Sequence, residues 1–197
     1  MEVAAFYITL SMTVFLQLGV LTIDGAFRII PSRLQVFEYE SVSFQCNGTT
    51  GWNVLRKIKT ETSTCGLNWG VSTESFCSDK NLYTTDSGEY WCEAAGGERS
   101  NSVNITITDG SVILESPVLP VMEGDAVTLS CRNKITPLNL TAGFYKDGRF
   151  MESSSTGKMT LEGVSKSDEG LYKCSISGAG ESPESWLAVT GETLNGY

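Results

Sequence analysis

The sequence predicts an all-β chain, built as two tandem β-sandwich domains behind an export signal. Three observations carry that expectation. The length of 197 residues suits two compact domains of roughly 85 to 100 residues each. A pair of strand motifs occurs twice, once in each half of the chain. Six cysteines, some inside those motifs, indicate an oxidising compartment.

The export signal is the apolar run from Val3 to Ile23, broken by Thr9, Ser11, Thr13, Gln17 and Thr22 and followed by Asp24-Gly25-Ala26. It reads as a secretory signal peptide over residues 1–26, with cleavage between positions 22 and 26. Glu2 stands where Lys or Arg is usual, and an uncleaved anchor is the rival reading, because about 18 to 20 apolar residues can cross a bilayer. No second apolar run of that length follows, so the expected product is secreted, or is the ectodomain of a cell-surface protein.

The charged residues, 14 Lys+Arg against 23 Asp+Glu, give a net charge of -9, with the acidic excess spread over both halves. Nucleic acid or an anionic membrane would require clustered Lys and Arg, so neither is an expected partner. The chain has no His, which removes the usual general base of Ser and Cys nucleophile systems and the commonest metal ligand. No pair of carboxylates stands out from the scatter. The composition therefore argues for a protein ligand, and against an enzyme, a cofactor, a metal centre or a small-molecule substrate.

The repeat begins with Val42-Ser43-Phe44-Gln45-Cys46, matched by Val127-Thr128-Leu129-Ser130-Cys131; both alternate apolar and polar residues as a half-buried strand does. It continues with Asp86-Ser87-Gly88-Glu89-Tyr90-Trp91-Cys92, matched by Asp168-Glu169-Gly170-Leu171-Tyr172-Lys173-Cys174. In the second motif Asp and Gly make the turn entering a strand. The Tyr two residues before the Cys is placed for a tyrosine corner, and the Cys faces the opposite sheet. This logic fits an immunoglobulin-like sandwich of the C2 or I-set kind and pairs Cys46 with Cys92 and Cys131 with Cys174. Cys65 and Cys77 remain, with a local bridge from strand C to the C′ or D region expected; an intermolecular bridge or a metal site is the alternative, although two Cys with no C-x-x-C and no His make a poor zinc site.

In chain order the first domain spans 27–109, with strand A over 27–37, B over 41–46, C over 53–58, F over 89–94 and G over 101–108. The second spans 110–190, opening with the run Val112–Pro117 and followed by strand B over 126–131, C over 143–146, E over 158–161, F over 170–175 and G over 185–189; a tail follows over 191–197. The junction Asp109-Gly110-Ser111 is short, so the domains should pack at a bend with little freedom. Phe144 suits the core position on strand C of the second domain, whereas in the first Trp52, Val54 and Trp69 compete for it. Sequons at Asn47, Asn104 and Asn139 mark exported surfaces.

Several segments together resemble the leukocyte Fc receptors and Fc receptor-like proteins, a fish member of that family being the expectation. They are Glu123–Cys131, the run Phe144-Tyr145-Lys146-Asp147-Gly148-Arg149, Lys166–Cys174 and Val112–Pro117 at the junction. The resemblance covers both domains and implies an extracellular receptor, membrane-bound or soluble, that binds immunoglobulin Fc or a related immune protein through its second domain. Carried over by position, the contacts are Asn133 and Lys134 in the BC loop, Lys146, Asp147 and Arg149 at the C–C′ turn, and Ser177, Gly178, Ala179, Gly180 and Glu181 in the FG loop. Mammalian Fc gamma receptors clamp a proline between two Trp, and here those positions hold Lys134 and Ser111. A clamp of two aromatic plates cannot form from these residues, so the resemblance implies a different ligand or one held by polar contacts. Another kind of immunoglobulin-superfamily binder, an adhesion module or a soluble decoy, is the alternative.

Overall fold

The computed structural model describes residues 27–74, 76–135 and 141–191. The signal segment, the Asn139 sequon and residues 192–197 lie outside that description.

The first half forms nine strands: β1 (Arg28–Pro31), β2 (Gln35–Phe37), β3 (Val42–Asn47), β4 (Trp52–Ile58), β5 (Glu61–Thr64), β6 (Val71–Ser72), β7 (Cys77–Asp79), β8 (Gly88–Ala94) and β9 (Arg99–Thr108). One sheet runs β1-β3-β7-β6 and the facing sheet β2-β9-β8-β4-β5, which is the A-B-E-D against A′-G-F-C-C′ arrangement of an immunoglobulin-like sandwich. The second half repeats the plan. Its strands are β10 (Val112–Glu115), β11 (Val121–Met122), β12 (Val127–Asn133), β13 (Ala142–Lys146), β14 (Arg149–Ser154), β15 (Lys158–Leu161), β16 (Gly170–Ile176), β17 (Gly180–Glu181), β18 (Ser185–Leu187) and β19 (Val189–Thr190). The sheet β10-β12-β15 faces β14-β13-β16-β17, β18 also pairs with β16, and β11 pairs with β19.

The single strand A expected over 27–37 is two strands on two sheets. The antiparallel pairing of β1 with β3 ends at Pro31, followed by one further contact in which the Ser32 N–H donates to the Ser43 carbonyl at 2.8 Å. The chain then crosses over, and β2 pairs in parallel with β9, Gln35 opposite Thr106. The last strand of the second half is likewise divided, β18 lying antiparallel to β16 and β19 parallel to β11.

The repeated Asp-x-Gly-x-Tyr-x-Cys motif has the same geometry in both halves. The Asp86 carboxylate accepts the Tyr83 N–H at 2.8 Å and the Asp168 carboxylate accepts the Ser165 N–H at 2.8 Å, each closing a 3-10 turn. The backbone carbonyl of the same Asp accepts the Tyr hydroxyl, Tyr90 from Asp86 and Tyr172 from Asp168, both at 2.7 Å. Glycine is required at position 88 because strand C passes close by, a Cβ there lying 2.5 Å from the Lys57 backbone carbonyl; at Gly170 the near neighbour is the Asp147 carboxylate, 2.8 Å from such a Cβ. Tyr and Cys then face inward, where Cys46–Cys92 and Cys131–Cys174 join the sheets.

Val54 lies opposite Cys92 and Phe144 opposite Cys174, so both occupy the strand C core position and both are fully buried. Val54 leaves more room than an aromatic would. Trp69, from the loop after β5, fills it, edge-on to Phe44 at 6.2 Å and to Tyr90 at 5.6 Å, while Phe44 and Tyr90 stack at 4.8 Å. The Trp69 indole N–H donates to the Ser63 carbonyl at 3.2 Å. The Cys65–Cys77 bridge secures this loop. It leaves the end of β5 and reaches β7, which is strand E, so it is a second link between the two sheets rather than a staple from strand C to C′ or D.

Both corner tyrosines are buried, and burial pushes each phenol up from 10.0 to about 12. A folded-state value raised above the unfolded one contributes stability that is complete below pH 10.0 and is lost as pH climbs towards 12. We therefore expect Tyr90 and Tyr172 to ionise only well above pH 10.0, together with alkaline unfolding. Ultraviolet difference titration of the native chain against Tyr90→Phe and Tyr172→Phe checks this, and titration of both groups at the exposed-tyrosine value would refute it.

Candidate protein-binding surface at the domain junction

The junction is built around Gln35, the first residue of β2, which is 3% exposed. Its side-chain oxygen accepts the Leu114 N–H at 2.8 Å and its NH2 donates to the Pro183 carbonyl at 2.9 Å. One amide of the first domain thus binds an edge strand and a loop of the second. Beside it, Arg132 on β12 forms a fork with Glu40, its two terminal nitrogens donating to the two carboxylate oxygens at 2.8 and 2.7 Å. Its Nε lies 3.2 Å from Glu115, close enough for charge attraction but not aligned for a hydrogen bond. The Arg132 guanidinium stands 4.9 Å from the Phe37 ring centroid and the Lys134 ammonium 5.8 Å, both within cation–π range. Phe37 and Ile113 are fully buried yet belong to neither sandwich core; the contact between the domains covers them.

The ten residues carried over as ligand contacts fall into two groups. Asn133 ends β12 opposite Val112, its side-chain oxygen accepting the Ile135 N–H at 3.0 Å, and the Lys134 N–H donates to the Ser111 carbonyl at 2.9 Å. Ser177–Glu181 form the hairpin between β16 and β17 at the same end, where Glu181 pairs with Lys173. Thr141, at the close of the BC loop, shares a shallow concavity with that hairpin.

Lys146, Asp147 and Arg149 lie at the other end. Strand β13 runs from Ala142 beside Ile176 to Lys146 beside Tyr172, a rise of about 13 Å at the strand repeat. There the Lys146 ammonium donates to the Ser167 carbonyl, and Asp147 exchanges hydrogen bonds with Leu171, donating at 2.8 Å and accepting at 3.0 Å. Asp147 and Gly148 take φ of 49° and 76°, a tight type I′ turn. Lys146 and Asp147 therefore hold the turn to the start of strand F.

Sequence reasoning missed Gln35, Arg132 and Ile135. Ile135 is 82% exposed, an apolar side chain presented next to Lys134, and nothing in the sequence around it, which also carries Leu138 and Leu140, marks it out. Trp91 is 5% exposed, beneath the Arg99 guanidinium at 4.0 Å. Trp69 is core.

The fold and its junction define a tandem immunoglobulin-like module. An immunoglobulin-domain family profile matches residues 111–189. Human Fc receptor-like protein 5 is 31% identical over 147 residues, 73% of this chain and 14% of that protein. Human Fc receptor-like B is 26% identical over 149 residues, 74% of this chain and 33% of that protein. Mouse Fc receptor-like protein 5 is 34% identical over 94 residues, 47% of this chain and 16% of its own length. The chain thus spans 33% or less of the curated relatives it matches. It belongs to the Fc receptor-like group of the immunoglobulin superfamily.

Two tests bear on the junction. Gln35→Ala leaves the Leu114 N–H buried without its partner and removes one of the two hydrogen bonds to the Pro183 carbonyl, which keeps the Ser182 hydroxyl; the expected loss is roughly 1 to 3 kcal/mol, measured by chemical denaturation, and an unchanged midpoint would refute the role. Glu40 is held below the usual glutamate value of 4.5 chiefly by its hydrogen bonds from Arg132, with burial opposing. A depressed folded-state value gives stability that is present above the unfolded value and lost as pH falls through the folded one. Small-angle scattering should therefore show the domains loosening below pH 4.5, and Glu40→Gln should remove that dependence.

Proposed function

We propose that this chain is the ligand-binding part of an extracellular immune receptor. It takes a protein ligand, immunoglobulin Fc first among the candidates, on the BC and FG loops of the second domain beside the junction. The observation that carries this reading is the fixed junction, which places Lys134 and the exposed Ile135 at the same end of the sandwich as the FG hairpin. Loops held by a rigid scaffold suit protein recognition, and a solvent-exposed isoleucine beside a lysine supplies an apolar anchor with a charged rim. The names of the relatives, Fc receptor-like proteins, support a receptor role. Disulfides and sequons support a place outside the cell. With Lys134 and Ser111 at the two clamp positions, contacts to the ligand are polar and aliphatic rather than a tryptophan sandwich.

The experiment is to capture the glycosylated secreted chain on a sensor surface and flow immunoglobulin from the same animal over it. Saturable binding is expected. Lys134→Glu with Ile135→Asp should weaken it about tenfold or more, or ~1.4 kcal/mol, while Arg149→Ala at the far turn leaves it intact. Absence of saturable binding by folded protein would remove Fc and leave an adhesion or decoy role with a non-antibody ligand.

A further inference from the structure

The side of the junction away from the Arg132–Glu40 pair is a cleft of about 470 Å3. One wall is β9 of the first domain; the other is the Val118–Pro120 segment and β18 of the second. The second-domain wall is apolar and uncovered. Trp186 is 53% exposed and Leu171, its cross-strand partner, 38%. A patch of this kind inside a concave site of ligand size normally has an occupant. Asn104 lies on the facing wall, exposed, and its amide makes no hydrogen bond among the described residues. It opens the sequon Asn104-Ile105-Thr106.

We infer that Asn104 carries an N-linked glycan whose first sugars lie in this cleft against Trp186 and Leu171, so that the occupant of the apolar wall is the chain's own carbohydrate. The chemistry matches. A pyranose ring presents a face of C–H groups that packs on the electron-rich face of an indole, and its hydroxyls stay in water at the open side of the cleft. The tether supplies the rest: a sugar anchored on the opposite wall has an effective concentration near millimolar, so even a weak sugar–indole contact is populated. Asn47, at the end of β3, does not line the cleft and provides an internal control. A glycan here props the two domains apart at a fixed angle and keeps protein ligands off this side. The inference stands independently of the ligand assignment above.

The test uses the full chain secreted from glycosylating cells. Site-specific glycopeptide mass spectrometry should find Asn104 occupied. Acrylamide quenching of Trp186, isolated by difference against Trp186→Phe, should rise about two-fold when the folded protein is treated with peptide N-glycosidase, because the covered apolar face is returned to solvent. Thr106→Ala should reproduce that rise if it folds, and Asn47→Gln should not. An unoccupied Asn104 in the folded secreted chain, or quenching of Trp186 unchanged by removal of the sugar, would overturn the proposal.

Discussion

Gln35 uses both ends of one buried amide to hold the second domain, and the placement of the loops and the cleft follows from that grip. An edge strand such as β10 leaves backbone groups unpaired, and a buried unpaired N–H is costly. Satisfying the Leu114 N–H from the neighbouring domain turns that liability into a register-specific contact. The Glu40–Arg132 fork beside it is bidentate, which adds direction as well as attraction. Phe37 and Ile113, buried outside both cores, give the contact its apolar area. The short linker limits how far the sandwiches can separate, and these contacts add a specific orientation.

This junction also explains why strand A of the first domain changes sheets. The crossover after Pro31 delivers Gln35 and Phe37 to the edge next to β9, facing the second domain. An uninterrupted strand A would have stayed on the β3 sheet and left the junction without its amide.

The two sandwiches were legible because their determinants are local. A Tyr two residues before a Cys and a Gly two after an Asp each have one geometric use in the corner, and the structure supplies partners for both halves alike. The junction was illegible for the opposite reason. Gln35 and Pro183 are far apart in sequence, and nothing in the pattern around either says that they meet. Trp69 shows an intermediate case: it was one of three residues competing for the core position, but only the fold reveals that Val54 takes it and that a loop held by Cys65–Cys77 brings Trp69 in from outside strand C. The transferred binding residues divide along the same line. Their order along the chain was visible, whereas the length of β13, which puts Lys146, Asp147 and Arg149 at the opposite end from the BC and FG loops, is a property of the folded sheet.

The two faces of the bend differ in chemistry, and that difference bears on how a ligand is met. The side bearing Arg132 and Lys134 concentrates cations in a chain of net charge -9. Arg132 is neutralised by Glu40 and approached by Glu115, so its charge is largely satisfied within the molecule. Among the described residues the Lys134 ammonium faces the Phe37 ring at 5.8 Å, and the exposed Ile135 stands beside it. The opposite side has Trp186 and Leu171 and no comparable cation on the cleft lining. A surface of that composition binds by shape and apolar area, which is the property a covalently tethered sugar can exploit and an incoming charged protein cannot. The bend thus separates a polar face suited to selective recognition from an apolar face that needs covering, and the same buried amide sets both.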